Sequence, residues 1–294
     1  MNSKLAGHLL VLFCVLVWGV TFVSTKVLLG VRSPVEIAFD RFVLAFLVLC
    51  VLHPRFAWQA PREELRFFGL GLCGVTLYFL FENFALQYTQ ASNVGLLVSS
   101  APLLTAIFAH YITHEQKLSR QFVLGSLLAL LGVAVVMFNG SVVLKLNPLG
   151  DLLALLAGAA WALYCLQLRK MGDKYGYLYL TRQVFFYGLL TMLPALYFTH
   201  YRLDLGLWLS ASAGNMLFLG VVASAVCYVA WNKAVNLIGS VKASNYIYLI
   251  PVVTLITAVL ALGERLTLIG LTGAAFILCG VYYAEHGFKL PSGQ

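Results

Sequence analysis

Charge is scarce in this chain. Asp and Glu number 11 and Lys and Arg 19 among 294 residues, so charged residues make up 10%, against about 25% in an average soluble domain. Hydrophobic residues make up 61%, more than a water-soluble fold of this length can hide. No polar stretch is long enough for a separate soluble domain. The six cysteines, Cys14, Cys50, Cys73, Cys165, Cys227 and Cys279, lie singly inside apolar runs with no C-x-x-C pair, which excludes a redox or zinc framework and leaves them as small packing residues. No G-x-x-x-x-G-K-[ST] loop occurs, so ATP hydrolysis by this chain has no support. The formal charge of +8 is scattered through short connections instead of gathered on one face. It sets membrane orientation and indicates no nucleic-acid partner.

What remains is a succession of apolar runs, each near the roughly 20 residues that cross a bilayer. Ten are expected: 5–28, 34–52, 66–87, 93–113, 120–139, 149–169, 177–198, 209–236, 242–262 and 267–286. Runs this long and continuously apolar are helices; barrel strands are shorter and alternate. The first run is read as a retained helix and not as a cleaved signal peptide. With the N-terminus inside, the inner connections hold eleven basic residues (Lys4, Arg55, Arg62, Arg66, Lys117, Arg120, Arg169, Lys170, Lys174, Lys242 and Lys289). The outer ones hold four, Arg32, Lys145, Arg202 and Arg265. That asymmetry places both termini in the cytoplasm.

The chain also repeats itself. Gly71, Asn83, Ala85, Pro102, Thr105, Ile107, Ala109 and Glu115 each match the residue 149 positions later, ending with Glu264. Trp18 matches Trp161 at a spacing of 143, and Arg41 matches Arg182 at 141. Five spans per half is an odd number, so the second copy enters the membrane inverted relative to the first. The expected fold class is thus an all-α integral membrane protein of ten transmembrane helices in two inverted five-helix repeats, 1–142 and 143–294. They are joined by the turn-rich linker 140–149. Such symmetry suits alternating access in a transporter.

Trp18-Gly19, Lys26, Arg41-Phe42, Trp161-Ala162-Leu163-Tyr164, Ser224-Ala225, Trp231-Asn232-Lys233-Ala234, Gly239-Ser240, Pro251 and Gly263-Glu264-Arg265-Leu266 resemble the drug/metabolite transporter superfamily, specifically its EamA-like family of ten-helix carriers. The resemblance covers nearly the whole chain in both repeats. It implies a carrier integral to the plasma (bacterial inner) membrane, often an exporter of amino acids or other small metabolites. It also implies a central cavity lined mainly by helices 1, 3, 4, 6, 8 and 9. Asp40 and Glu82 depart from the family's usual pattern and bear on this member's substrate.

Several residues stand out as site candidates. Pro102 and Pro251 break equivalent helices, and a freed carbonyl at mid-membrane must face protein or a wet cavity; Ser99, Ser100, Tyr246 and Tyr248 sit just before them. These breaks serve either a substrate cavity or packing. Trp18, Trp161, Tyr164, Trp231 and Tyr246 are candidates for an aromatic cavity wall able to hold a cation, with Asn232 a further cavity candidate; interfacial anchoring, the expectation for Trp208, is the alternative. Ionisable groups inside a membrane are expensive. Lys26, Asp40, Arg41 and Glu82 form a charge-balanced group in the outer half of the first repeat, either an outer gate or charge site or a structural ion-pair cluster. Arg182, with no carboxylate nearby in sequence, is a candidate for an anionic substrate group, with cytoplasmic water the alternative. Glu82 is the candidate for proton coupling, because a carboxylate in a low dielectric favours its protonated form.

His110, His114 and Glu115 have too few companions for a zinc site, and Glu115 recurs as Glu264 without histidines, so both glutamates are read as loop caps; no metal and no cofactor are expected. Gly125, Gly132, Gly158, Gly220, Gly273 and Gly280 are read as small packing residues. The function read from all this is a secondary active transporter, an exporter of amino acids or related small metabolites. The alternative is an uptake carrier or exchanger for small organic anions. An intramembrane enzyme and a channel are disfavoured. The partners are a small-molecule substrate and the lipid bilayer. One chain supplies both halves, so a monomer suffices and a dimer is compatible.

Overall fold

The computed structural model describes residues 3–28, 30–88, 91–114, 119–138, 147–172, 174–199, 201, 212–262 and 267–286. Glu115, Lys117, Lys145, Arg202, Trp208, Glu264, Arg265 and Lys289 lie outside the described residues, as does the side chain of Lys26. All regular structure among the described residues is helical.

The helices follow the apolar runs. They are α1 (Ser3–Leu28), α2 (Pro34–Leu52), α3 (Pro61–Gly71, Leu72–Leu77 and Tyr78–Tyr88), α4 (Ala91–Val98, Ala101–Phe108 and Ala109–Thr113) and α5 (Arg120–Phe138). After the linker come α6 (Pro148–Gly172), α7 (Tyr177–Phe198), α8 (Ala213–Leu217, Phe218–Val226 and Cys227–Ile238), α9 (Ser240–Asn245, Tyr246–Leu249 and Ile250–Leu262) and α10 (Leu268–His286). Among the described residues five stretches are long and apolar enough to cross a membrane: Ser3–Thr21, Pro61–Ala85, Val94–Thr113, Pro148–Met171 and Ala213–Ile238. Arg120–Val136 and Leu268–Ala284 are apolar but shorter. α3 begins five residues before its apolar run because Pro61 suits a first helical turn and Glu63 and Glu64 face the helix's positive end there. At the start of α2, Ser33 and Glu36 form a reciprocal capping box.

Polarity runs inside out relative to a soluble protein. Arg182, Asn232, Thr181, Ser126 and Ser224 are fully buried, while Leu12, Leu47, Leu127, Leu131, Leu260, Leu271 and Leu278 are exposed. Water would penalise such a surface, and hydrocarbon does not.

The strongest helix contacts run between 1–142 and 143–294, and they come in exchanged pairs. α1 packs on α8 as α6 packs on α3, α1 on α9 as α6 on α4, and α2 on α8 as α7 on α3; α2 also pairs with α7, and α5 with α10. Glycines set the closest approaches. A Cβ at Gly71 would lie 2.6 Å from the Gly188 amide on α7, and one at its repeat partner Gly220 would lie 2.5 Å from Leu44 on α2. In the α5–α10 seam, Gly125 and Gly132 recur as Gly273 and Gly280, 148 residues on. A Cβ at Gly280 would lie 2.4 Å from the Ala129 amide nitrogen, and one at Gly132 2.6 Å from the Gly273 carbonyl oxygen. Gly158 is looser, with its nearest neighbour at 3.5 Å. Gly239, between α8 and α9, has φ +90° and ψ 154°, a conformation that only glycine adopts without strain.

Local irregularities also recur. Leu72–Leu77 and Phe218–Val226 are π-helical, and the first, moved on by 149 residues, falls wholly within the second. Residues 99–100 interrupt α4 just before Pro102, while α9 tightens to a 3-10 turn over Tyr246–Leu249 just before Pro251.

The α5–α10 seam predicts that Gly280→Val, which forces a side chain onto backbone, lowers stability by about 1–3 kcal/mol. Gly214→Ala, at a site open to 4 Å, is expected to be neutral. Thermal unfolding of the two variants in detergent checks both.

Candidate functional site

The two π-helical stretches prepare the centre. In a regular α-helix the Tyr78 amide would bond the Gly74 carbonyl, and the Cys227 amide the Ala223 carbonyl. Here the Tyr78 amide bonds Val75 and the Cys227 amide bonds Ser224 and Val222. Gly74 and Ala223 are 149 residues apart, so each half presents the corresponding carbonyl. Each takes a donor from the other half. Trp18 Nε1–H donates to the Ala223 oxygen at 3.0 Å, and the Tyr228 hydroxyl donates to the Gly74 oxygen at 3.1 Å.

Around this crossing the aromatic residues converge. The rings of Trp18, Trp161 and Trp231 lie mutually 5.0 to 5.8 Å apart. Trp161 also meets Tyr78 at 5.4 Å, Tyr164 at 5.2 Å and Tyr228 at 5.9 Å. The rings pack on one another, so Trp18, Trp161 and Trp231 form a closed cluster. Trp161 is 6% exposed, and its indole N–H has no hydrogen-bond partner among the described residues. A buried donor left in this way costs about 1–3 kcal/mol and is ready for an acceptor.

Tyr164 and Asn232 are brought to the same place but answer each other. Tyr164 donates to Asn232 Oδ1 at 2.7 Å, Asn232 Nδ2 donates to Thr181 Oγ1 at 2.7 Å, and Thr181 donates to the Tyr177 carbonyl at 2.7 Å. This chain ties α6 to α8 and α7.

The ionisable candidates do not form one group. Asp40 accepts from Arg32 Nη2 at 2.7 Å and from the Tyr201 hydroxyl at 2.6 Å. Glu36 stands 3.5 Å from Arg32 Nη1. This knot joins the α1–α2 connection to the end of α7. Burial and the Asp40 carboxylate push the Tyr201 phenol up to about 12, so it remains a donor at neutral pH. Burial alone would lower the Arg32 pKa, but the hydrogen bond and charge of Asp40, with Glu36, raise it.

Arg41 turns inward instead. It is buried, donates Nε–H to Ser224 Oγ at 2.9 Å, and lies 5.4 Å from the ring centres of Phe42 and Phe79. Half-buried Glu82, one turn on from Tyr78, lies within the electrostatic reach of Arg41.

Arg182, fully buried, is turned to a structural task that sequence does not disclose. It donates to the main-chain oxygens of His53 and of Arg55, the latter at 3.0 Å, and stacks 4.2 Å from the centre of the Phe56 ring. With Tyr179, which donates to the Ala57 carbonyl at 2.8 Å, it pins the segment that follows α2. Carbonyl oxygens supply partners that no nearby carboxylate does, while the Nε–H of Arg182 is buried with no partner among the described residues.

The proline-break residues spread out. Pro102 and Pro251 are buried. Ser100 donates to the Leu97 carbonyl at 2.6 Å, and Ser99 is buried beside it. Tyr246 bonds His8 on α1 at 2.9 Å. Tyr248 points away from the tryptophans, into the α5–α10 seam with Ala129, Val133 and Ile277. Sequence reasoning missed Tyr78, Tyr228, Thr181, Arg32 and Tyr201. Tyr228, one turn before Trp231, carried a signal as an aromatic beside a matched motif; Tyr201 carried none.

The outer knot predicts two unequal losses. Tyr201→Phe removes one hydrogen bond and is expected to cost about 1 kcal/mol. Asp40→Asn takes the charge from the closer of the two carboxylates on a buried guanidinium, leaving Glu36 at 3.5 Å, and is expected to cost about 2–3 kcal/mol. Thermal unfolding of the variants in detergent separates the two.

Comparison with known proteins fits this architecture. The EamA-like transporter family matches residues 5–138 and again 148–284. An uncharacterized transporter of Archaeoglobus fulgidus is 29% identical over 96% of this chain and 97% of its own length. A Salmonella typhimurium protein named as a probable amino-acid metabolite efflux pump is 27% identical over 96% of this chain and 95% of its own. A crystal structure of a protein only 19% identical shares the fold, with a TM-score of 0.79 over 96% of this chain and 98% of the other. A twofold family match spanning nearly all of a chain that hides its charge and exposes its leucines leaves one conclusion: this chain is a membrane transporter of the EamA-like family.

Proposed function

We propose that the chain is a secondary carrier working by alternating access, and that it exports amino acids or related small metabolites across the plasma (bacterial inner) membrane. The carrying observation is the buried centre to which both halves contribute. Buried Arg41, the buried, unpartnered Trp161 N–H and half-buried Glu82 adjoin aromatic rings there. A cation, a carboxylate and a free donor beside aromatic faces suit a zwitterion. Inverted repeats with cytoplasmic termini are part of this reading. The exchanged helix pairs and the recurring π stretches support them, because two inverted copies can exchange conformations around a fixed midplane site. Export of an amino-acid metabolite is supported by the name of the Salmonella relative, a probable amino-acid metabolite efflux pump.

Glu82 is the proton-coupling residue in this account. It exchanges a proton as the site changes sides, and Tyr78 and Arg41 hold it in place. Exchange of small organic anions is the second reading, favoured by Arg41 when Glu82 is neutral.

The test is counterflow in proteoliposomes, with labelled amino acids and organic acids outside and the unlabelled compound inside. Saturable accumulation of an amino acid is expected, and accumulation of organic anions alone would shift the assignment to the second reading. Glu82→Gln is expected to keep counterflow while losing net transport driven by a pH gradient. Full proton-driven transport by that variant would remove Glu82 from the coupling mechanism.

A further inference from the structure

The two halves treat their matched tryptophans differently. Trp18 donates to Ala223, the carbonyl that the π stretch of the opposite half leaves without its usual amide. By the repeat relation, Trp161 has the Gly74 carbonyl as its counterpart. That carbonyl is already taken by the Tyr228 hydroxyl at 3.1 Å, and the Trp161 N–H is left alone. One residue makes the difference. The position matching Tyr228 in the first half is Phe79, 149 residues earlier, which has no hydroxyl to compete for Ala223.

We infer that Tyr228 is a positioning residue: by occupying the Gly74 carbonyl it frees the Trp161 indole N–H to bind a carboxylate oxygen of the substrate. An indole is a donor only, so the subsite selects an acceptor. Arg41 biases that acceptor toward a negative oxygen. Its guanidinium lies over Phe42, whose ring is 5.8 Å from Tyr228, while Trp161 is 5.9 Å from the same Tyr228 ring. Charge and donor thus flank one tyrosine. An ammonium or other cation offers no acceptor to the indole and faces Arg41 with like charge. The inference deepens the proposed function and rests on it for the location of the substrate.

The experiment has a ligand arm and a ligand-free arm, both on the detergent-purified full chain. In the first, amino acids and their carboxamides are titrated, with affinity read from thermal shift. The free acids are expected to bind about tenfold more tightly than the amides. Trp161→Phe and Tyr228→Phe are each expected to weaken acid binding about tenfold. The double variant should be no worse than either single one, because Tyr228 acts through Trp161. Additive losses, or wild-type affinity in Tyr228→Phe, overturn the inference and leave the site itself standing. Wild-type affinity in Trp161→Phe overturns the site.

In the second arm, no ligand is present. The indole N–H resonance of Trp161 is followed by 15N NMR, assigned by its loss in Trp161→Phe. Tyr228→Phe is expected to move it downfield as the N–H takes the vacated Gly74 carbonyl. An unmoved resonance contradicts the inference, whatever the substrate proves to be.

Discussion

The constraint on which the structure depends is that a guanidinium removed from water must be answered by protein. Arg41 and Arg182 are repeat equivalents, both buried, and they are answered in different ways. Arg182 meets two main-chain carbonyls and the face of Phe56. Those carbonyls belong to the segment just past α2, so the arginine anchors that segment through its Nη donors, while its Nε–H is buried without a partner among the described residues. Arg41 has one serine hydroxyl, two aromatic faces and the field of a nearby carboxylate. Its surroundings are thus more aromatic and less hydrogen-bonded by main chain than those of Arg182. The end of α7 instead meets the α1–α2 connection through side chains, Tyr201 and Arg32 on Asp40.

The π-helical stretches apply the same logic to the backbone. Buried carbonyls need partners, and π stretches are frequent at functional sites because they re-aim such groups. Here each half presents a carbonyl that a side chain of the other half must satisfy, through Trp18 and Tyr228. Neither half is complete alone, and a movement of one is felt at the bonding of the other. Close helix contact across the halves, enforced by Gly71, Gly220 and the four glycines of the α5–α10 seam, makes that coupling stiff. Rigid elements that rearrange together are what an alternating-access carrier requires.

Much of this was legible in the sequence. Apolar length located the helices of the described residues, and the 149-residue spacing located the breaks before Pro102 and Pro251. The matched pair Trp18 and Trp161 pointed to the aromatic centre. Side-chain partnership was not legible. Asp40 and Arg41 are neighbours in sequence and charge-balanced, yet a helix sends adjacent residues about 100° apart, so one joins Arg32 and the other turns inward. Tyr248 sits two residues from Tyr246 and faces the opposite seam for the same reason. Tyr201 and the carbonyls past α2 come from connections, where no periodicity predicts a contact. The π stretches depend on packing and leave no distinct residue pattern.

The central claim is that Arg41, and not Arg182, faces the substrate. Ligand-dependent thermal shift on Arg41→Gln and Arg182→Gln, with whichever compound stabilises the wild-type chain, tests it most directly. The account predicts that Arg41→Gln abolishes the ligand-induced rise while the unliganded melting temperature stays near wild type. It also predicts that Arg182→Gln melts earlier yet keeps the rise. A retained rise in Arg41→Gln together with a lost one in Arg182→Gln would contradict the account and return the substrate to the other half.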